Sequence, residues 1–283
     1  MDTALLEKLI CIQCNKPSLQ ERQDRLICSI CGRNISLRAG IPDFLSGSCI
    51  GKLSWVETGS SADSYELSIS QFKPYYFKRI DGPILEYVQG DVLEIGCGTC
   101  RLGTPVEKRG ARYFGLDPVF SFLFYGYKHR GLQRLVLGQG ERLPFQNNSF
   151  DCIISGFYAY RYVNPDLGLP EARRVLKKGG KFVFDLLNHW ILKLMEFKRI
   201  IKKEGLSNFF PFRLQPPLNL FEFTSLSQLK QKAEKSEFLV EKVISTPVMP
   251  FLPALNKYLV NFYYSGKKTV YLGYNIIVIL KAV

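Results

Sequence analysis

The chain has 283 residues, of which 46% are hydrophobic, so it can form one large domain or a full domain plus a small module. A net charge of +13 means that acidic partners must be considered. The first ten residues are amphipathic and charged, unlike a secretory signal, and the apolar run at 276–280 is far too short to span a bilayer. The composition therefore predicts a cytoplasmic protein without a transmembrane segment.

Four cysteines near the N-terminus have the spacing of a metal site. Cys11, Cys14, Cys28 and Cys31 form two Cys-x2-Cys pairs, which can place four thiolates around one zinc ion. With all four ligands supplied by the protein, such a site is closed and structural. The alternative is two disulfides, which would need an oxidising compartment. We predict a zinc ribbon over residues 1–45.

A linker and a helical cap are predicted over residues 46–90. The stretch 46–62 is rich in glycine and serine, as flexible linkers are. One or two helices are expected over 65–87, and their aromatic residues either cover a ligand pocket or pack onto the sheet. These aromatic residues are Tyr65, Phe72, Tyr75, Tyr76 and Phe77.

A glycine turn follows the first strand of the main domain, which is predicted over residues 91–283. The strand at Asp91–Ile95 runs into Gly96 and Gly98, where bare backbone and a following helix start can approach a ligand. A second apolar run ends at Asp117, nineteen residues after Gly98, where a carboxylate can accept both hydroxyl hydrogens of a ribose. This pattern indicates a nucleoside site.

Two residues near the turn argue against a dinucleotide. The dinucleotide fingerprint has a third glycine where this chain has Arg101. Glu94, just before the turn, would repel a pyrophosphate and attract an ammonium group. S-adenosylmethionine (SAM), with a ribose at one end and an amino acid at the other, fits both observations.

The motifs around this turn resemble those of class I SAM-dependent methyltransferases of the type 11 subgroup. The resemblance lies in 93–99, 115–118, 141–145 with 148–151, and 171–180. It implies a Rossmann-like α/β fold, a seven-stranded sheet with helices on both faces and a final antiparallel strand. The expected strands are 91–95, 112–116, 134–137, 150–155, 181–186, 238–245 and 270–282. The cofactor-binding residues that it implies are Glu94, Gly96, Cys97, Gly98, Asp117, Pro118, Gln139, Gly140, Glu141 and Ser155.

The chain departs from the family pattern at two positions. Cys100 replaces a common third glycine, and Gln139 replaces an aspartate that often accepts the adenine amino group. The N-terminal module, with its tail at 39–45, resembles the ribbon of bacterial rRNA guanine methyltransferases. In those enzymes the fourth ligand is commonly histidine, whereas here it is Cys31.

The remaining candidates lie in the second half of the domain. Insertions at 190–223 and 247–268 are predicted to cover the substrate, and the basic helix at 190–204 either faces an acidic membrane or phosphate surface or is simply solvated. His189 is a general base for a hydroxyl acceptor or an exposed histidine. Tyrosines 158, 160 and 162 line a substrate pocket or pack in the core.

These features favour a methyltransferase that acts on a small or lipid-like acceptor. An rRNA or tRNA base methyltransferase is the alternative, suggested by the ribbon and the net charge. The ribbon itself, with six basic and five acidic side chains, carries almost no excess charge to bind phosphate. A non-catalytic SAM-binding protein is the third hypothesis, suggested by Cys100 and Gln139. The sequence does not assign a catalytic residue.

Overall fold

The computed structural model describes residues 1–45, 61–70, 74–187, 226–247 and 273–283. His189, the basic helix at 190–204 and the insertion at 190–223 lie outside the described residues, as does the insertion at 247–268 apart from Pro247. No helix within the described ranges is long and apolar enough to cross a membrane.

The N-terminal module is a small antiparallel sheet preceded by one short helix. Asp2 caps this helix, α1 (Thr3–Lys8), by accepting the backbone N–H of Leu5 at 3.0 Å. Strands follow at β1 (Leu19–Arg22), β2 (Arg25–Cys28), β3 (Asn34–Arg38) and β4 (Ile41–Pro42), paired in that order.

The main domain is a seven-stranded sheet. Its strands are β5 (Asp91–Ile95), β6 (Arg112–Asp117), β7 (Leu135–Leu137), β8 (Phe150–Ser155), β9 (Leu176–Leu187), β10 (Phe238–Pro247) and β11 (Gly273–Ala282). Their spatial order is β10-β11-β9-β8-β5-β6-β7, with β11 antiparallel to both of its neighbours and the other pairs parallel. The strand order reverses at β5, and ligands bind beyond the carboxyl ends of the strands at such a point.

Helices lie before and between these strands. They are α2 (Ala62–Ser70), α3 (Pro74–Leu85), α4 (Gly103–Glu107), α5 (Phe120–Arg130), α6 (Pro165–Val175) and α7 (Leu226–Lys235). Alternating strand residues face two apolar layers: one layer contains Phe182 and Phe184, and the other contains Val183 and Ile277. The predicted architecture is confirmed, including the final antiparallel strand.

Several element starts differ from the sequence prediction, and two of them have a local cause. The fifth strand of the main sheet begins at Leu176 rather than 181, because Leu176 pairs with Phe150 before the register shifts. The helix after the glycine turn was expected from about residue 101 and begins at Gly103. Cys100 has a φ of 61°, which keeps the chain in a turn for longer.

Candidate functional site

The glycine turn crosses the end of β6. The N–H groups of Gly96 and Cys97 both donate to the carbonyl of Leu116, at 2.8 and 3.1 Å. Gly96 and Gly98 have φ values of 71° and 53°, which glycine adopts without strain. The turn therefore lies directly beside Asp117, the last residue of β6.

Asp117 is buried and holds the turn through both of its carboxylate oxygens. Oδ2 accepts the N–H of Gly98 at 2.7 Å, and Oδ1 accepts the N–H of Val119 at 2.9 Å. Burial raises the pKa of Asp117 to about 6, although these two N–H groups oppose the shift. Because each carboxylate oxygen has two lone pairs, further acceptor capacity remains for a ligand.

Glu94 is a second buried carboxyl group at this edge. Its Oε2 accepts the hydroxyl of Tyr113 at 2.5 Å, and its Oε1 lies 3.9 Å from where a Cβ on Gly156 would be. Burial raises the pKa of Glu94 to about 8, while the Tyr113 hydroxyl and Arg101 oppose the shift. A group in this environment gains strongly from a nearby positive charge.

The Arg101 side chain binds helix α3 of the cap, and it leaves no room for a pyrophosphate. Its guanidinium forms a two-point ion pair with Asp81 of α3, with Nη2 to Oδ1 at 3.0 Å. Its Cζ also lies 4.4 Å from the ring centroid of Phe77. This pairing fixes α3 beside the glycine turn.

The other cap helix, α2, is attached to the same turn. Glu66 accepts the Thr99 hydroxyl and an Arg130 N–H, the latter at 2.8 Å. The ring of Tyr65 stacks on Phe122 at 4.7 Å between centroids. The Tyr65 hydroxyl lies 3.7 Å from where a Cβ on Gly98 would be, so this helix covers the turn.

The three tyrosines that were predicted to line a substrate pocket or pack in the core have different environments in the structure. Tyr160 is a core residue, with its ring 4.9 Å from that of Phe182. Tyr162 is 38% exposed. Tyr158 donates its backbone N–H to Asp185 Oδ1 at 2.9 Å and its hydroxyl to Asn275 Oδ1. Sequence reasoning missed Asp185 and Asn275; the available signal was a polar residue near the end of β9 and near the start of the antiparallel β11.

Three predicted cofactor residues have structural contacts of their own. The Ser155 hydroxyl donates to the carbonyl of Ile95 at 2.7 Å and ties β8 to β5. Glu141 accepts the N–H of Asn164 at 2.8 Å, just before α6. Gln139 follows β7 and is half-buried. Contact of these residues with a cofactor stays a prediction, as it does for Pro118 and Gly140.

The four ribbon cysteines converge. Their sulfur atoms all lie within 4.8 Å of one another, with Cys11 to Cys31 at 3.5 Å and Cys14 to Cys28 at 3.6 Å. A tetrahedron with zinc–sulfur distances of about 2.3 Å has sulfur–sulfur edges of roughly 3.8 Å, whereas a disulfide bond is about 2.05 Å long. The arrangement can hold one metal ion, and it suggests the predicted ribbon site.

Comparison with known proteins adds relatives for the central part of the chain. Residues 93–184 match the family described as a methyltransferase domain. An uncharacterized methyltransferase of Mycobacterium bovis is 28% identical over 149 residues, which are 52% of this chain and 59% of that protein. A demethylmenaquinone methyltransferase of Thermobifida fusca is 29% identical over 139 residues, 46% of this chain and 59% of that protein. The chain thus spans about three-fifths of the length of these relatives.

Solved structures extend the comparison to most of the chain. A TehB-like SAM-dependent methyltransferase from Corynebacterium glutamicum has a TM-score of 0.52 at 14% identity and covers 82% of this chain and 100% of its own. A protein from Pyrococcus horikoshii has a TM-score of 0.51 at 17% identity, with the same coverage. The chain therefore has the Rossmann-like fold of class I SAM-dependent methyltransferases, and its methyltransferase-domain match covers the strands around the glycine turn.

Proposed function

We propose that this protein is a SAM-dependent methyltransferase. The observation that carries the proposal is an acidic cluster at the carboxyl edge, formed by buried Glu94, Asp117 and Asp185 and half-buried Asp81, with Arg101 as the counter-charge. These groups lie near enough to affect one another's ionisation. Three uncompensated carboxyl groups suit a ligand with sulfonium and ammonium charges and disfavour an anionic dinucleotide.

The residues present fit SAM at both of its ends. Asp117, beside the half-buried backbone of Gly98, has lone pairs left for ribose hydroxyls. Glu94 has one carboxylate oxygen turned toward Gly156, where it can accept an ammonium hydrogen. Gln139 to Glu141 follow the short strand β7 and would bind the adenine. Bound SAM supplies an electrophilic methyl group, and these side chains hold it at the edge where the acceptor enters.

The chain's contribution to catalysis is mainly positioning and exclusion of water. Helices α2 and α3 cover the glycine turn through Glu66 and Asp81, so the reacting groups would be enclosed on that side. Alignment of the nucleophile with the methyl group and sulfur can supply most of the rate enhancement.

The acceptor is a small or lipid-like molecule. The acidic edge repels phosphate groups, which disfavours a nucleic acid backbone close to the methyl group. The demethylmenaquinone methyltransferase relative is named for a small-molecule acceptor, which supports the same class. An RNA base as acceptor remains the second candidate, suggested by the ribbon resemblance and the net charge of +13.

The four ribbon cysteines hold one structural zinc ion. All four ligand positions are supplied by the chain, so no position is open for a substrate. Four thiolates and one zinc ion carry about two negative charges, which further reduces the ribbon's attraction for phosphate.

Calorimetry with SAM and with NAD tests the cofactor, using Asp117→Ala as the pocket variant and Asp166→Ala, an exposed aspartate on α6, as the matched control. We expect SAM to bind wild type and the control equally and to bind Asp117→Ala more weakly. Release of S-adenosylhomocysteine in cell extract then separates an enzyme from a SAM-binding protein. Activity that survives RNase supports a small-molecule acceptor, and preferential binding of NAD would overturn the proposal.

A further inference from the structure

A second group of buried polar side chains lies at the carboxyl edge, on β9 and β11. Asp185 is the register partner of Ile277, and Asn275 lies two residues before Ile277, so both side chains are on the same face of the sheet. Asp185 has no exposed surface and Asn275 is 1% exposed. The two groups are linked through Tyr158, whose backbone N–H binds one and whose hydroxyl binds the other.

One polar atom of each side chain has no partner. Asp185 Oδ2 and Asn275 Nδ2 are buried and make no hydrogen bond to any residue that the structure describes. Leaving such buried atoms without a hydrogen-bond partner is energetically unfavourable. An acceptor oxygen and a donor N–H are therefore both available at one place, and a ligand with the complementary groups would recover this cost.

The backbone beside these atoms is strained. Phe157 and Tyr158 have φ values of 56° and 62°, and non-glycine residues rarely adopt this left-handed region, least of all in succession. Gly156, the preceding residue, faces Glu94, and Ala159 packs against Gly96 of the cofactor turn. The strained turn thus holds Asp185 and Asn275 next to the proposed methyl donor.

We propose that Asp185 and Asn275 form the acceptor subsite for a hydroxyl group, and that Asp185 takes its proton during methyl transfer. This inference rests on the proposed methyltransferase function. The hydroxyl hydrogen points to Asp185 Oδ2, and one oxygen lone pair accepts the N–H of Asn275. The second lone pair attacks the methyl group: an oxygen–carbon bond forms, the sulfur–carbon bond breaks, the sulfur keeps the bonding pair, and the proton moves to Asp185.

The two unsatisfied atoms distinguish oxygen from nitrogen as the nucleophile. A neutral amine has one lone pair, which cannot both accept the Asn275 N–H and attack the methyl group. A protonated amine has no lone pair and needs no acceptor from Asn275. A hydroxyl oxygen has two lone pairs and one hydrogen, so it satisfies both partners and still reacts.

The surroundings of Asp185 suit it to proton transfer near neutral pH. Burial raises its pKa to about 7, although the backbone N–H of Tyr158 opposes the shift. Asp81 of α3 raises the pKa further, and Arg101 lowers it. A base with this pKa can accept a proton from the nucleophile as the oxygen–carbon bond forms.

The test uses the full-length protein, methyl-tritiated SAM and an RNase-treated small-molecule extract of the source cells. We expect the labelled product to release its methyl group under acid cleavage of oxygen–methyl bonds. Asp185→Asn keeps the shape of the side chain and should lower kcat by about 100-fold. It should also remove an acid limb near pH 7 from the kcat profile. Asn275→Leu should raise KM for the acceptor.

Ser245→Ala is the matched control. The Ser245 hydroxyl is also buried without a partner among the described residues, but Ser245 is paired with Ile276 and so lies on the opposite face. Its variant should keep wild-type kinetics. A label on carbon, nitrogen or RNA overturns the subsite and leaves the methyltransferase proposal standing, as does an Asp185→Asn variant with a wild-type pH profile. A wild type that fails to bind SAM would instead refute the proposed function.

Discussion

Binding of SAM should release about one proton at pH 7, and Glu94→Gln should remove most of this release. Burial raises the pKa of Glu94 to about 8, so the carboxyl group is mostly protonated in the free protein at pH 7. An ammonium group beside it stabilises the carboxylate, and the proton is lost to the buffer. Glutamine keeps the shape and the contact with Tyr113 but has no proton to lose.

The same pKa shift sets an upper limit on how much ionisation of Glu94 changes the free energy of unfolding. The ordinary pKa of 4.5 and the raised value of about 8 differ by an amount worth at most about 5 kcal/mol, at 1.36 kcal/mol per pKa unit. The folded state holds the proton more tightly than the unfolded state. The free protein is therefore most stable below about pH 4.5 with respect to this group, and it loses stability as pH rises toward 8. Glu94→Gln should remove that loss and raise the free energy of unfolding at pH 8.5.

The assay is calorimetry of SAM binding at pH 7 in phosphate and in Tris, whose ionisation enthalpies differ. The dependence of the binding enthalpy on buffer gives the number of protons released. Glu107→Gln, on α4 at the surface, is the matched control and should release as many protons as wild type. If wild type binds SAM with the same enthalpy in both buffers, or if Glu94→Gln still releases one proton, the reasoning about Glu94 is wrong.

Three further changes probe the turn, its packing and the ribbon. Asp117→Ala should weaken SAM binding by about 1–3 kcal/mol through lost ribose hydrogen bonds, and an unchanged calorimetric affinity would contradict the pocket assignment. Gly126→Ala places a Cβ 2.6 Å from the Cys100 sulfur and should destabilise the fold by about 1–3 kcal/mol in urea unfolding. Adding Cys100→Gly should restore stability, and no rescue would count against this contact. Cys28→Ser should release zinc and unfold the ribbon; wild-type protein without zinc by metal analysis would refute the site.

Much of the main sheet could be predicted because its strands are short apolar runs between turn residues. The bounds of β5 and β8 agree with the prediction, and β10 and β11 were found with errors of a few residues at one end. The antiparallel final strand followed from the family resemblance rather than from the periodicity. The early start of β9 was missed because its first residue pairs across a register shift, which depends on the neighbouring strand.

The candidate site was predictable only where its residues are close in sequence. Glu94, Gly96 and Gly98 form one local motif, and Asp117 ends the next strand. The pairing of Arg101 with Asp81 joins a turn to a helix from the cap, and a single sequence does not specify such a partner. The fit of Cys100 also depends on a residue that is distant in sequence. Gly126, on α5, has no side chain and so leaves room for the Cys100 sulfur.

The N-terminal ribbon is in direct contact with the main domain, whereas the sequence alone indicates only a linker between them. The backbone N–H of Phe44 donates to the carbonyl of Leu137 at 2.9 Å, which continues hydrogen bonding beyond the edge of β7. Arg142 donates to the carbonyl of Ile12, the residue after Cys11. The segment between Leu137 and Arg142 includes the residues predicted to bind adenine. Because both ends of that segment are held by residues 1–45, the folded N-terminal module supports the shape of the loop in which the adenine is predicted to bind.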